Sequence, residues 1–127
     1  MRNGVDLIEI DRVRVTIERF GSRFLERVYT PLELAQAHNK PASLAARFAG
    51  KEAVSKALGC GIGIVGWREI EIRRDEANPP QIILYGEANL LAKSLGLTRW
   101  SISLSHTQDL AIAFVIAFGD REAENPY

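Results

Sequence analysis

The sequence predicts an α+β fold in a single domain over residues 1–127. Two observations lead to this prediction. Segments such as "GVDLIEI" and "RWSISLSH" alternate as strands do, whereas apolar side chains in residues 11–58 recur at helical spacing. The helices are grouped after one strand and do not alternate regularly with strands. This order is typical of α+β domains and predicts a small antiparallel sheet packed with helices.

The first predicted strand, "GVDLIEI" at residues 4–10, sets an acid inside an apolar run. Its alternation puts Asp6 on the same face as Ile8 and Ile10, toward the expected core. A lone carboxylate in that position is costly unless it is paired or bound to a cation. Asp6 is therefore a candidate functional residue.

Helices are predicted over the next part of the chain. A helical pattern extends from about residue 11 to residue 20 and continues through "GSRFLERV". "TPLE" is a helix start, in which Thr30 caps the helix and Glu33 completes a capping box. The longest helix is predicted at residues 41–58, and Gly59 is placed to end it.

Strands return in the second half of the chain. "GWREIEIRR" alternates along residues 66–74 and predicts a strand, followed by the turn "ANPP" and the strand "QIILY". "GEANLLAKSLG" lies between glycines and predicts a short helix. The strands "RWSISLSH" and "LAIAFVIAF" complete the fold and are joined by the turn-like "TQD".

The charges of the chain favour a protein partner over nucleic acid. Sixteen basic and sixteen acidic residues give a formal net charge of zero, whereas nucleic-acid-binding domains usually carry a basic excess. Five arginines nevertheless fall between residues 12 and 27, against two acids, while the tail after Gly119 leans acidic. This locally basic segment predicts that one acidic partner docks there.

Cysteine usage and hydropathy predict a soluble cytoplasmic protein without membrane association. Cys60 is the single cysteine, so no internal disulfide can form, which suits a reducing compartment. The start of the chain lacks a signal-peptide pattern. The longest apolar run, residues 110–118, is too short for a transmembrane helix.

Three features have simpler explanations than a functional role. "GIGIVG" at residues 61–66 spells a dinucleotide-binding motif, but a helix precedes it and a strand follows it, the reverse of the required order. We interpret it as a connection. Cys60 lies among glycines with no histidine near it in the sequence, and His38 lies at a polar helix end. Neither is predicted to take part in chemistry.

The segment "RFAGKEAVSK" at residues 47–56 is the richest in candidate chemistry. Lys56 follows Glu52 by four residues, which by itself is typical of an ion pair on a helix surface. Asp6 and Glu52 together offer two carboxylates at the edge of the core, which would repel each other without a cation between them. Magnesium is usually held by few protein oxygens together with phosphate and water. A magnesium–phosphate site is the alternative interpretation.

His106 ends the strand "SISLSH" on the face of Ile102 and Leu104, with serines on the other face. A histidine at a strand end beside hydroxyl groups can bind phosphate or move a proton. A half-buried structural histidine fits these residues equally well, so both interpretations stay open.

Several of these segments resemble one family, the holo-[acyl-carrier-protein] synthases, which are small trimeric 4'-phosphopantetheinyl transferases. "GVDLIEI", "RFAGKEAVSKALG" and "SLSHT" carry the resemblance, and "FGSRFLERVYTPLEL" and "WREIEI" support it. The segments span almost the whole chain in the order of the family. The resemblance implies a homotrimer with active sites at the subunit interfaces and a role in fatty acid biosynthesis.

The resemblance also implies a reaction and its residues. Magnesium-dependent enzymes of this family transfer the phosphopantetheine arm of coenzyme A to a serine of apo acyl carrier protein and release adenosine 3',5'-bisphosphate. Asp6 and Glu52 match the metal ligands, Lys56 the lysine that approaches the phosphates, and His106 the histidine near the pyrophosphate. Less specific matches to the coenzyme A pocket are Arg47, Lys51, Gly59, Pro80, Ser105 and Thr107.

The family docks its acidic carrier protein on the first helix, which would explain the arginines. Arg12 and Arg23 match docking residues best, and Arg19 and Arg27 are their neighbours. The base that activates the serine stays open among a metal-coordinated carboxylate, a metal-bound water and His106.

Two other functions are compatible with parts of the sequence. A small magnesium-dependent hydrolase of nucleotide phosphates would use Asp6 and Glu52 without needing the arginines. A non-enzymatic module that binds an acidic protein would use the arginines without needing a metal.

Overall fold

The computed structural model describes residues 1–120, which form five helices and five strands. The helices are α1 Ile10–Phe20, α2 Ser22–Val28, α3 Pro31–Ala37, α4 Pro41–Leu58 and α5 Gly86–Ser94. The strands are β1 Arg2–Glu9, β2 Ile70–Arg73, β3 Gln81–Leu84, β4 Arg99–His106 and β5 Leu110–Phe118. Most of the acidic tail, residues 121–127, lies outside the described residues.

The strands are antiparallel, as predicted, and form two separate sheets. β1, β5 and β4 make one sheet in that order, and β2 pairs with β3 in the other. In the larger sheet Asp6 of β1 pairs with Ala113 of β5, which pairs with Leu104 of β4. β5 therefore separates the two edge strands that carry Asp6 and His106.

Helix α4 is the central element of the fold and lies against β1 and β5. Twelve of its 18 residues are buried, and many of them are alanines, whose small side chains allow close packing. β1 comes so near that a Cβ on Gly4 would overlap the backbone carbonyl oxygen of Ala53. This close approach puts Asp6 of β1 beside the turn of α4 that carries Glu52 and Lys56.

The helix ends follow the signals in the sequence. Glu33 N donates to Thr30 Oγ1 at 3.2 Å, and Thr30 N donates to Glu33 Oε1 at 2.9 Å, which forms the predicted capping box. Gly59 ends α4 in the left-handed conformation with φ 77°, where a side chain would be strained. The predicted bounds of α4 are therefore confirmed.

The two faces of β1 differ as its alternation predicted. Asp6 and Ile8 are half-buried on the face toward α4, whereas Val5 and Leu7 are exposed on the other face. The strand bounds differ from the prediction, because β1 already begins at Arg2 and ends at Glu9. Ile10, predicted to end the strand, begins α1 and is buried there.

The strand predicted at residues 66–74 is shorter than its alternation indicated. Trp67–Glu69 form a 3₁₀ turn, and β2 begins only after it. Lys51 Nζ of α4 donates to the carbonyl oxygen of Trp67 at 2.9 Å, and Gly66 N donates to Glu69 Oε1 at 2.6 Å. These contacts engage backbone groups that a longer strand would have offered to a neighbouring strand.

The outward face of the larger sheet carries a patch of exposed apolar side chains. Val5 pairs with Phe114 and Leu7 with Ile112, and these four side chains keep between 38% and 58% of their surface exposed. We call Val5, Leu7, Ile112 and Phe114 the outer sheet patch. Contiguous exposed apolar side chains of this kind mark interaction surfaces.

Candidate active site

Asp6 and Glu52 line one cavity at the junction of β1, α1 and α4. Its volume is about 240 Å³. The rest of its wall combines apolar and polar side chains, namely Leu7, Ile8, Arg12, Val13, Thr16, Phe24 and Phe48. Two carboxylates from different elements therefore face the same partly apolar space, which we call the carboxylate cavity.

Lys56 forms its ion pair with Asp6 of β1 and not with Glu52 of its own helix. Lys56 Nζ lies 3.1 Å from Asp6 Oδ1 and donates to the carbonyl oxygen of Val5 at 2.9 Å. The Lys56 side chain remains 53% exposed. Its ammonium group therefore neutralises part of the carboxylate charge and stays accessible to an anion from solvent.

The electrostatics of Glu52 reflect its neighbours. Burial raises the pKa of the Glu52 carboxyl, the Asp6 carboxylate raises it further, and Lys56 lowers it. The first two causes disfavour the charged form of Glu52 in the absence of a compensating cation.

The residues around the carboxylate cavity fit a hard divalent cation. Within residues 1–120 no group of three or more His, Cys, Asp or Glu side chains is arranged to hold a metal. Two carboxylates are thus the acidic ligands that this site offers. Such a small set of protein oxygens is what Mg²⁺ uses when phosphate and water complete its coordination.

The loop at residues 61–66, which the sequence predicted to be a connection and which we call the glycine loop, borders the same acid. Glu52 also lines a second cavity, of about 600 Å³, together with Gly63, Gly66 and Trp67. Arg27 and Ile62 complete its wall. As predicted, a helix precedes the motif and no helix of more than one turn follows it directly, but its position at the site was missed. The sequence held one signal, since this loop directly follows the helix that carries Glu52 and Lys56.

His106 and Arg47 line a third and larger cavity, of about 1000 Å³, which Pro80 also borders. Three further cationic or titratable side chains in its wall were not predicted from the sequence to belong to a site, namely His38, Lys40 and Arg74. Asp75 and Glu76 also lie in its wall. We call this space the basic cavity. Lys40 and Arg74 stand at the ends of a helix and a strand, where polar residues alone give no signal of function.

Arg47 lines the basic cavity with a guanidinium that is only partly satisfied. It is 1% exposed, and its Nη2 donates to the carbonyl oxygen of Arg74 at 3.0 Å. Its Nη1 bonds to Ser43, but Nε has no partner among the described residues. Burial lowers the pKa of Arg47. Buried donors without a partner are rare, and an enclosed water is the usual partner of such a group.

The other residues matched to a coenzyme pocket have local structural roles within the chain. Lys51 is completely buried and pairs with Glu33 at 2.7 Å, so its ammonium lines none of the three cavities. Gly59 ends α4. Thr107 Oγ1 accepts hydrogen bonds from two backbone amides in the β4–β5 turn, at 3.2 and 3.1 Å. Ser105 is exposed on β4.

The arginines of α1 and α2 form an exposed basic surface. Arg14 pairs with Asp11, whereas the other four have no carboxylate within ion-pair distance among residues 1–120. Arg12 lines the carboxylate cavity and Arg27 the neighbouring cavity at the glycine loop. We call Arg12, Arg19, Arg23 and Arg27 the basic surface, and it begins beside the acidic site.

His106 lies away from the carboxylate cavity within one chain. It pairs with Ala111 of β5, which pairs with Ile8 of β1. Neighbouring strands are about 4.8 Å apart, so two strand spacings, or about 10 Å, separate the backbones of His106 and Ile8. His106 is also exposed, although the alternation of β4 predicted that it points inward. The strand ends beyond the core, which explains the difference.

Solved structures of holo-[acyl-carrier-protein] synthases have this fold. The Helicobacter pylori enzyme in complex with coenzyme A matches with a TM-score of 0.83 and 36% identity, over 91% of this chain and 99% of that one. The Bacillus anthracis enzyme in complex with CoA (3',5'-ADP) matches with a TM-score of 0.76 and 30% identity, over 94% and 96% of the two chains.

The sequence comparisons identify the family. The model of the 4'-phosphopantetheinyl transferase superfamily matches residues 2–115. A Herpetosiphon aurantiacus protein named holo-[acyl-carrier-protein] synthase is 47% identical over 123 residues, which cover 91% of this chain and 97% of that protein. The chain belongs to the 4'-phosphopantetheinyl transferase superfamily, which confirms the resemblance seen in the sequence. None of the helices in residues 1–120 has the length and apolar character needed to span a membrane.

Proposed function

We propose that this chain is a holo-[acyl-carrier-protein] synthase. It transfers the 4'-phosphopantetheine group of coenzyme A to a serine hydroxyl of apo acyl carrier protein and releases adenosine 3',5'-bisphosphate. The observation that carries the proposal is the meeting of Asp6, Glu52 and Lys56 at one site, in a chain that matches its family over residues 2–115. The serine oxygen attacks the phosphorus that bears pantetheine, the phosphoanhydride bond breaks, and the hydroxyl proton passes to a base.

Asp6 and Glu52 are the residues that would hold magnesium. The cation, when bound, neutralises charge on the pyrophosphate as the bond to the leaving group breaks. Burial and, after it, the Asp6 carboxylate raise the pKa of Glu52, and this supports the assignment, because a cation between the two carboxylates would relieve their repulsion.

Lys56 is proposed to contact a phosphate oxygen of coenzyme A. Its ammonium already lies 3.1 Å from Asp6 Oδ1 and is more than half exposed, so it can reach an anion beside the carboxylates without leaving its partner. Charge-assisted hydrogen bonds of this kind are stronger than hydrogen bonds between neutral groups. The base that takes the serine proton is a carboxylate of this site or His106.

The basic cavity is proposed to receive the nucleotide part of coenzyme A. Lys40, Arg47 and Arg74 supply positive charge there. Phosphate groups are the anions that such cationic side chains recognise. Pro80 and His106 complete this part of the proposed pocket.

The proposed active site is assembled from two chains of a homotrimer. In one chain Asp6 and Glu52 line the carboxylate cavity, whereas Arg47 and His106, the latter on the opposite edge strand of the larger sheet, line a separate cavity. The outer sheet patch supports self-association, since it leaves apolar side chains on a sheet face that another copy can cover. A second copy would bring its His106 and Arg47 to the Asp6 and Glu52 of the first.

The basic surface is proposed to dock the acidic carrier protein. It adjoins the carboxylate cavity through Arg12 and Arg27, so a carrier bound there has its serine near the metal ligands. Complementary charge mainly speeds the encounter and fixes orientation. With acyl carrier protein as the acceptor, the proposed reaction belongs to fatty acid biosynthesis.

One incubation tests the proposal. The protein is mixed with apo acyl carrier protein, coenzyme A and Mg²⁺, and the carrier is weighed by mass spectrometry. We expect a gain of one phosphopantetheine that chelation of the metal prevents. A carrier that keeps its mass would contradict the transferase. Cleavage of coenzyme A without a carrier would instead indicate a hydrolase, and carrier binding without any reaction would indicate a binding module.

A further inference from the structure

A charged pair is enclosed in the interior between α3 and α4. Lys51 Nζ and Glu33 Oε1 lie 2.7 Å apart, and both side chains are 0% exposed. The ammonium also donates to the carbonyl oxygens of Trp67, at 2.9 Å, and Ile70. Its three donors are thus all used. The Glu33 carboxylate accepts from two backbone amides, those of Thr30 and Ile72, in addition.

Stability alone is a weak explanation for this pair. Burial lowers the pKa of Lys51, and the Glu33 charge and hydrogen bond oppose that shift. Buried ion pairs replaced by apolar side chains of similar size often leave a protein equally or more stable. Since stability is a weak explanation, the role of the pair is inferred from the elements that its hydrogen bonds connect.

The hydrogen bond from Lys51 to the Trp67 carbonyl reaches an aromatic wall, formed by Trp67 and Phe48, between the two cavities that Glu52 lines. The ring centroids of Trp67 and Phe48 lie 4.7 Å apart. Phe48, one helical turn before Glu52, lines the carboxylate cavity, and Trp67 lines the cavity at the glycine loop. Lys51 thus ties the backbone of Trp67 to the helix turn that carries Glu52.

A second side chain secures the same 3₁₀ turn from the other side. Glu69 Oε1 accepts from Gly66 N at 2.6 Å, and Glu69 Oε2 accepts from Glu87 N at 2.7 Å. The turn is therefore held to α4 by Lys51 and to α5 by Glu69. The glycine loop ends at this turn, so its path beside Glu52 depends on where the turn is held.

We infer that Lys51 and Glu33 are positioning residues for the reaction. They touch no substrate. They hold the Trp67–Phe48 wall and the end of the glycine loop in place relative to Glu52. This inference rests on the proposed function, in which Glu52 is a metal ligand. It replaces the assignment of Lys51 to the coenzyme A pocket, because the Lys51 ammonium is enclosed and fully paired.

The test compares single and double neutral variants. Lys51→Met leaves the Glu33 charge buried and unpaired, so we expect it to lower the melting temperature. Lys51→Met/Glu33→Gln removes both charges, and the Gln oxygen can still accept from Thr30 N, although Ile72 N then loses its acceptor, so we expect the melting temperature to recover part of the way to wild type. Misplacement of reacting groups by about 1 Å costs about 100-fold in rate. We therefore expect kcat of the double variant to stay about 10- to 100-fold low, with the KM for carrier protein unchanged.

Trp67 provides a readout that needs no substrate. The chain has two tryptophans, so Trp100→Phe isolates the fluorescence of Trp67. We expect acrylamide to quench Trp67 more strongly in the double variant than in the Trp100→Phe parent. Leu97→Ala, in a different part of the core, is the matched control for destabilisation, and we expect it to leave both Trp67 quenching and kcat at wild-type values.

The outcomes separate the two proposals. Recovery of kcat together with stability in the double variant, or unchanged quenching of Trp67, would overturn the positioning role. If Lys51→Met alone fails to fold, kcat and Trp67 quenching of the double variant still decide whether the pair has a positioning role. If the wild type transfers no phosphopantetheine, the proposed function fails, while the quenching still decides whether the pair positions Trp67.

Discussion

Lys56 of α4 reaches across to β1 and pairs with Asp6, with 3.1 Å between Nζ and Oδ1. This contact follows from the glycine at position 4, which lets the strand lie directly against the helix. As a result, one turn of α4 presents Glu52 to the carboxylate cavity, and Lys56 on the next turn offsets the negative charge of Asp6. The metal ligands and the phosphate-binding lysine of the proposed enzyme are thus placed by a single close packing contact.

Replacement of either carboxylate by its amide should remove the cation site and leave the fold intact. We expect Asp6→Asn and Glu52→Gln each to lose most turnover at limiting Mg²⁺, because a neutral amide replaces an anionic ligand. Binding of Mn²⁺, followed by electron paramagnetic resonance, should weaken in parallel. Glu87→Gln on α5 is the control, since it removes an exposed acid away from the site. Wild-type turnover in either test variant would refute that residue as a ligand.

The raised pKa of Glu52 predicts how the metal-free protein responds to pH. A carboxyl with a raised pKa in the folded state holds its proton longer there than in the unfolded chain. The folded state therefore binds more protons just above pH 4.5, the ordinary pKa of this group, and stability falls as pH rises through that window. Urea unfolding in chelator should show this fall. Glu52→Gln should abolish it, and Asp6→Asn should reduce it, since the second cause of the shift is gone.

The proposed two-chain active site predicts complementation between inactive variants. Asp6→Asn and His106→Ala destroy different halves of the proposed site, so a mixed trimer contains some sites with both halves intact. Refolding the two variants together should restore part of the transfer activity that neither has alone. Phe114→Glu, in the outer sheet patch, should lower both the sedimentation coefficient and the activity. Mixtures with no regained activity would place the whole site within one chain.

The basic surface predicts a selective defect in carrier binding. We expect Arg12→Glu and Arg23→Glu to raise the KM for carrier protein far more than the KM for coenzyme A, because like charges then face each other. Activity of the wild type should also fall with rising salt, which screens exposed charges. Lys93→Glu on α5 is the charge-matched control. An unchanged KM for carrier protein in both arginine variants would assign the basic surface to another purpose.

Local signals account for most of the fold that the sequence predicted. The capping pair Thr30 and Glu33, the helix end at Gly59 and the alternation of β1 each act within a few residues of chain, so they can be read without a structure. The proximity of Asp6 to the helix turn that bears Glu52 could also be predicted without a structure, because the family resemblance assigns both residues to one metal site. Antiparallel sheets follow from the block order of the elements, but the split into two sheets does not.

Long-range contacts explain what the sequence did not predict. The alternation before Ile70 resembles a strand, yet Lys51 from α4 takes the carbonyl oxygen of Trp67 and holds a 3₁₀ turn there. Lys51 itself was matched to the coenzyme A pocket, because no local pattern reveals that Glu33 of another helix meets it in the interior. Lys40 and Arg74 of the basic cavity were missed for the same reason, since they meet Arg47, Pro80 and His106, which the resemblance had implied, only in the folded chain.

His106 can serve as a donor to phosphate or as the base that takes the serine proton, and pH separates these roles. Its Nδ1 lies 3.2 Å from the carbonyl oxygen of Thr107, and the ring is exposed in the basic cavity. Arg47, Arg74, Asp75 and Glu76 line the same cavity. A phosphate bound among them would favour a donor role, which we adopt.

A donor can be replaced by another donor, so His106→Gln should keep part of its activity across the whole pH range. A base must instead be neutral, and a rate limb at about pH 6–7, where histidine side chains in general titrate, would then appear in wild-type kcat. Profiles of kcat against pH for both proteins, at saturating coenzyme A and carrier, decide between the roles. Loss of that limb in His106→Gln together with nearly all turnover would make His106 the base, because an amide cannot accept the serine proton.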